Sequence, residues 1–178
     1  FYATFTKLNC EPSHLDFFKR TPDFKKLILD QDAIFVGGGN TKSMLAIWRD
    51  WGLDKILKKA YLNGVVMSGV SAGAICWFQQ GITDSWASDL KMMPCLNFVR
   101  GTCCPHYDEE PGRKPAVKKF LSKGKVKNIF AVDGGVDLHV KNETNFRSIV
   151  YRKDKSSYKV FLENKTLIEK SFKKTIII

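Results

Sequence analysis

Residues 65–78, Val-Val-Met-Ser-Gly-Val-Ser-Ala-Gly-Ala-Ile-Cys-Trp-Phe, decide the fold. Val65, Val66 and Met67 form a short apolar, β-branched run that reads as a buried strand. It passes directly into Gly69-Val70-Ser71-Ala72-Gly73, and the apolar residues 74–78 predict a helix. Strand, tight turn and helix in that order match the nucleophile-elbow pattern G-x-S-x-G. A nucleophile at such a turn adopts strained backbone angles, so its neighbours must be small, and the two glycines and Ala72 meet that need. The turn lifts the Ser71 hydroxyl out of the sheet. A helix starting there would aim its positive end at the site and leave the Ala72 N–H free for an oxyanion.

Upstream, residues 33–36 predict a second buried strand, closed by Gly37-Gly38-Gly39. Asn40 can cap the helix in which Met44, Leu45, Ile47 and Trp48 recur at helical spacing. Gly52 interrupts it, and a further helix over 53–62 ends at Asn63-Gly64. Downstream, residues 97–104 include a strand that stops at Pro105-His106, residues 116–121 predict a helix, and residues 128–132 a strand. Residues 136–140 alternate apolar and polar as a half-buried strand does. Residues 146–151 and 158–162 read as a closing pair of strands. This alternation argues for an α/β fold, a mostly parallel sheet with helices on both faces and its active site at the carboxyl ends of the strands.

Composition narrows the function classes. The 178 residues fit a single domain, and 44% hydrophobic residues suffice for a packed core. A net charge of +11 lies mostly on lysines interspersed with acids. That reads as a solvated basic surface, with no nucleic acid expected. No apolar run reaches the ~18–20 residues of a membrane span. The five cysteines (Cys10, Cys76, Cys95, Cys103, Cys104) contain no C-x-x-C pair. They read as reduced thiols of a cytoplasmic protein rather than a metal site.

A serine nucleophile needs a base. Of His14, His106 and His139, only His106 stands at a predicted strand end, which makes it the candidate general base. Asp84, Asp89 and Asp108 are candidates for the carboxylate that orients it. Backbone amides of the triple glycine can approach a substrate oxygen closely, so the Gly38 N–H is the candidate partner of Ala72 in an oxyanion hole. The loop lacks the G-x-x-x-x-G-K-[ST] spacing of a phosphate loop. A thiol enzyme built on Cys104 and His106 is a weaker reading, because no elbow activates Cys104.

Three segments together resemble the dipeptidase E and cyanophycinase-like serine peptidases: residues 33–41 (AIFVGGGNT), residues 69–73 (GVSAG) and Pro105-His106. Residues 131–138 (AVDGGVDL) are similar to that family's late D-x-G-x-x-L strand. The resemblance implies a fold akin to class I glutamine amidotransferases and a Ser–His–Asp/Glu mechanism without metal or cofactor. It maps the nucleophile to Ser71, the base to His106 and the acid to Asp84. It places the oxyanion hole at Gly38 and Ala72, with Gly39 and Asn40 as substrate-binding residues. The substrates it implies are short peptides, above all dipeptides with an N-terminal aspartate. Arg113 and Arg100 are the candidate cations for such a residue, by nearness in sequence to His106. The resemblance also implies a strand region before Phe1, so residues 1–178 are read as a single peptidase domain lacking that region. The chain departs from the family at Gly134 and Asp137, where an acidic and a small residue are expected. An esterase or amidase with another acyl substrate, and a non-catalytic binding protein on the same fold, are the competing readings.

Overall fold

The computed structural model describes residues 1–86 and 89–177. In chain order the elements are α1 (Tyr2–Phe5), α2 (Phe24–Leu29), β1 (Ala33–Val36), α3 (Thr41–Asp50), α4 (Leu53–Leu62), β2 (Val66–Gly69) and α5 (Ala72–Ile75). There follow β3 (Phe78–Thr83), β4 (Lys91–Pro94), β5 (Val99–Cys104), α6 (Arg113–Ser122) and β6 (Asn128–Val132). The chain closes with β7 (Val136–Lys141), β8 (Asn145–Val150), β9 (Ser157–Glu163), β10 (Thr166–Ser171) and β11 (Lys173–Ile176).

The strands form a parallel pair β1-β2, a six-stranded sheet in the order β10-β9-β6-β5-β3-β4, and a three-stranded sheet β11-β8-β7. The α/β class therefore stands, with mixed rather than mostly parallel pairing. β3, β5 and β6 run parallel to one another, while β4, β9 and β10 are added antiparallel. For β10 the cause is the two-residue connection 164–165, since so short a turn can join only antiparallel neighbours. Asn142-Glu143-Thr144 joins β7 to β8, and Asn164-Lys165 joins β9 to β10; Asn142, Glu143, Asn164 and Lys165 are all at positive φ.

Local chemistry explains the helices nearest the site. Asn40 caps α3 by accepting from the Ser43 N–H at 3.0 Å, an interaction worth about 1 kcal/mol. Leu45 and Trp48 of α3 and Leu53, Leu57 and Ala60 of α4 turn inward at helical spacing. Gly52, at φ 68°, makes the left-handed bend between the two helices.

Three apolar clusters hold the layers together. The first joins α2, α3 and α4 to Trp77, Met93 and Phe98, with the inward residues Ile34, Val36 and Met67 of the β1-β2 pair. The second sets Val117, Phe120 and Leu121 of α6 on Ile82, Cys104, Ile129 and Val160 of the large sheet. The third covers the opposite face. There Phe78, Val99, Cys103 and Phe130 meet Leu138, Val140 and Phe146 of the small sheet. A β-layer thus stands where the alternation had predicted helices. The β1 and β2 strands are half-buried rather than fully buried: Phe35 and Val66 on their outer face are 46% and 61% exposed.

Candidate active site

The elbow is built as its spacing demands. Ser71 sits at φ 55°, ψ −114°, a conformation that L-residues rarely adopt. A side chain on either flanking glycine would collide with backbone. A Cβ on Gly73 would lie 2.0 Å from the Val36 carbonyl oxygen. One on Gly69 would lie 2.4 Å from the Gly73 oxygen and 2.6 Å from that of Val36. The turn after β2 is therefore pressed against the end of β1, which brings the glycine loop to the serine. A Cβ on Gly38 would stand 3.4 Å from Ser71 Cβ and 4.0 Å from Ser71 Oγ. Among the described residues, neither the Gly38 nor the Ala72 N–H has a hydrogen-bond acceptor. Gly38 thus packs against the serine turn, and the amides of both residues are free of intramolecular acceptors.

The predicted helix after the serine is a single turn, Ala72–Ile75, and the chain re-enters a strand at Phe78. Any electrostatic help from that turn is correspondingly small, because the macrodipole effect builds with aligned peptides. The free Ala72 amide, an orphan first N–H of the turn, does not depend on helix length.

His106 follows Pro105 at the end of β5, at φ 53°. Its loop is docked on the end of β6: the Tyr107 N–H donates to the Val132 carbonyl at 3.0 Å, and the Gly134 N–H donates to Asp108 Oδ1 at 2.8 Å. The imidazole Nδ1 lies 2.9 Å from Glu109 Oε2. Among the described residues, no hydrogen bond joins Ser71 to His106.

The remaining expected residues fall elsewhere. Asp84 at the end of β3 is 70% exposed, and its carboxylate lies 3.9 Å from Arg113, with no contact to His106. Arg113 was expected to face substrate, but its side chain is 2% exposed. Its Nε donates to Glu110 Oε2 at 2.7 Å and its Nη1 to the Ile82 carbonyl at 2.9 Å. It serves as a strut between the end of β3 and the His106 loop, where the Glu110 N–H also donates to the His106 carbonyl at 3.2 Å. The glycine loop is tied to the same strand end. Asn40 Nδ2 donates to the Ser85 carbonyl at 3.1 Å, and the Lys42 N–H to Ser85 Oγ at 3.2 Å. Asn40 thus spends both ends of its amide on structure. Arg100 is exposed on β5, His139 is exposed on β7, and His14 accepts or donates to Tyr2 Oη at 2.8 Å.

Cys104 is fully buried, and burial pushes its thiol up to about 12, which leaves no thiolate to act as a nucleophile. Burial raises the Asp133 carboxyl, and the nearby Asp108 charge adds to it. Its Oδ2 accepts from the Ser156 N–H at 3.0 Å and Tyr158 Oη at 3.1 Å.

Asp108 supports the loop electrostatically. Burial works to raise its carboxyl, but Lys155 and the Gly134 N–H outweigh burial and hold it below the usual carboxylate range. A depressed folded-state pKa contributes stability that is present above the unfolded value and lost as pH falls through the folded one. Asp108→Asn should therefore lower Tm at neutral pH. The gap from wild type should close in strongly acidic buffer, as thermal melts across that range will read.

A strand that ends in a strained serine turn, with a glycine loop packed against that turn, is the architecture of a serine hydrolase. The chain matches the family model of peptidase family S51 over residues 1–148. It is 42% identical over 170 residues to "Uncharacterized peptidase YgaJ" of Bacillus subtilis (strain 168), covering 95% of this chain and 74% of that protein. A crystal structure of a provisionally assigned peptidase E from Listeria monocytogenes EGD-e superposes with a TM-score of 0.48 at 20% identity. That match covers 84% of this chain and 64% of the solved one. The chain belongs to peptidase family S51, and with it to the serine-type peptidases. Among the described residues, no helix is long and apolar enough to cross a membrane.

Proposed function

We propose that this protein hydrolyses short peptides through an acyl-enzyme on Ser71, and that its preferred substrates are dipeptides with an N-terminal aspartate. The observation that carries the reading is the strained Ser71 turn packed against Gly38, with the Gly38 and Ala72 amides free of intramolecular acceptors. His106 takes the Ser71 proton as Oγ attacks the peptide carbonyl. The Gly38 and Ala72 amides hold the oxyanion. His106 then protonates the leaving amine, and water, activated by the same imidazole, releases the acyl group. No step calls for a metal, and the described residues hold no cluster of metal-ligating side chains. The aspartate preference rests on the resemblance of residues 33–41, 69–73 and 105–106 to dipeptidase E. With Arg113 buried and Arg100 near the start of β5, at the far end of that strand from His106, the cation that meets such a residue is neither of the two arginines named from the sequence. Cys76, Cys95, Cys103 and Cys104 are buried free thiols, which fits a reducing, cytoplasmic setting.

The test is hydrolysis of a panel of Asp-X, β-Asp-X and neutral dipeptides. Asp-X should lead in kcat/KM, and Ser71→Ala should abolish its cleavage. Equal cleavage of neutral dipeptides would remove the aspartate preference and leave the serine mechanism standing.

A further inference from the structure

We infer that Glu109, and not Asp84, is the carboxylate that positions His106, and that Gly134 is glycine to make room for it. The inference rests on the reading of His106 as the general base.

Two independent features of the structure converge on Glu109. The first is the 2.9 Å contact between Glu109 Oε2 and His106 Nδ1. An ionised carboxylate has no hydrogen to give, so Nδ1 must carry the proton of this bond. That fixes the tautomer, leaving the Nε2 lone pair free to accept the Ser71 proton. When the imidazole becomes imidazolium, its new charge faces the Glu109 carboxylate. The left-handed turn at His106 makes this possible, since it turns the chain back so that the third residue on reaches the ring nitrogen.

The second feature comes from another element. A Cβ on Gly134, just past β6, would fall 2.0 Å from Glu109 Oε1 and 2.1 Å from its carboxyl carbon. Gly134 does not have a left-handed backbone, so no conformational need keeps it a glycine. A side chain there would have to displace the Glu109 carboxylate from its place at His106. Asp84, by contrast, is turned to Arg113.

The test combines kinetics with a readout of the ring itself. Glu109→Gln should lower kcat about 10²–10⁴-fold while KM moves less than about threefold. Asp84→Asn should lose less than about tenfold in kcat. Gly134→Ala should lower kcat in the wild-type background by driving the carboxylate off Nδ1. It should have no further effect in a Glu109→Ala background, since the methyl group then has nothing to displace. Independently of turnover, 15N spectra of the neutral histidines should show His106 protonated on Nδ1 in wild type. That preference should be lost in Glu109→Ala and kept in Ser71→Ala. A His106 protonated on Nε2 in wild type, or a tautomer unmoved by Glu109→Ala, overturns the inference even in a protein that cleaves no peptide. So does an additive effect of Gly134→Ala and Glu109→Ala on kcat. Loss of peptidase activity in wild type, with the tautomer result intact, overturns only the function.

Discussion

Gly73→Ala should cost about 3 kcal/mol or more in stability and remove peptidase activity with it. The added Cβ would sit 2.0 Å from the Val36 oxygen and 2.8 Å from that of Gly37. Neither atom is the end of a flexible side chain. Both belong to the β1 strand end, which is held by its ladder to β2 and by the packing of α3. To admit the methyl group, the turn must move off β1, and the Gly38 amide then leaves the serine. Urea unfolding will show a lower midpoint. An unchanged midpoint would mean that the two strand ends are not pressed together in solution.

Replacing the serine itself should separate stability from function. Ser71→Gly should raise stability by about 1 kcal/mol, because glycine tolerates φ 55°, ψ −114° and serine does not. The gain is the relieved strain less the entropy that glycine adds to the unfolded chain. Turnover should fall about 10⁴-fold or more, since no nucleophile remains. Ser71→Ala should lose the same turnover without that gain, because its Cβ keeps the strain. The pair of variants, compared by melting temperature and kcat, distinguishes a turn strained for chemistry from an ordinary loop.

Much of this arrangement is legible from local chemistry. β1, α4 and β6 fall where their apolar runs and terminating glycines or asparagines put them. The elbow glycines follow from sterics alone. What local reading misses is set by distant partners. Residues 74–78 are apolar throughout, and such a run does not distinguish a buried helix from a strand entry. Gly81 breaks the strand signal of β3, yet β3 needs it, because a Cβ there would lie 2.7 Å from the Ile75 side chain. Residues 146–151 and 158–162 resemble one hairpin. Each pairs instead across a turn without glycine, Asn142-Glu143-Thr144 or Asn164-Lys165, so the usual Asn-Gly signal is missing. Arg113 reads as a surface cation because sequence does not show that Ile82 and Glu110 enclose it. Glu109 was hidden for the same kind of reason. A carboxylate three residues after a histidine faces it only in a turn, and the left-handed φ of His106 is visible only in the fold.

The most direct measurement of the central claim is release of p-nitroaniline from aspartyl-p-nitroanilide by the wild-type protein and Ser71→Ala side by side, each shown folded by its melting transition. Steady release by wild type and none above background by Ser71→Ala is the predicted result. Equal release by both would contradict the assignment of Ser71 as the nucleophile.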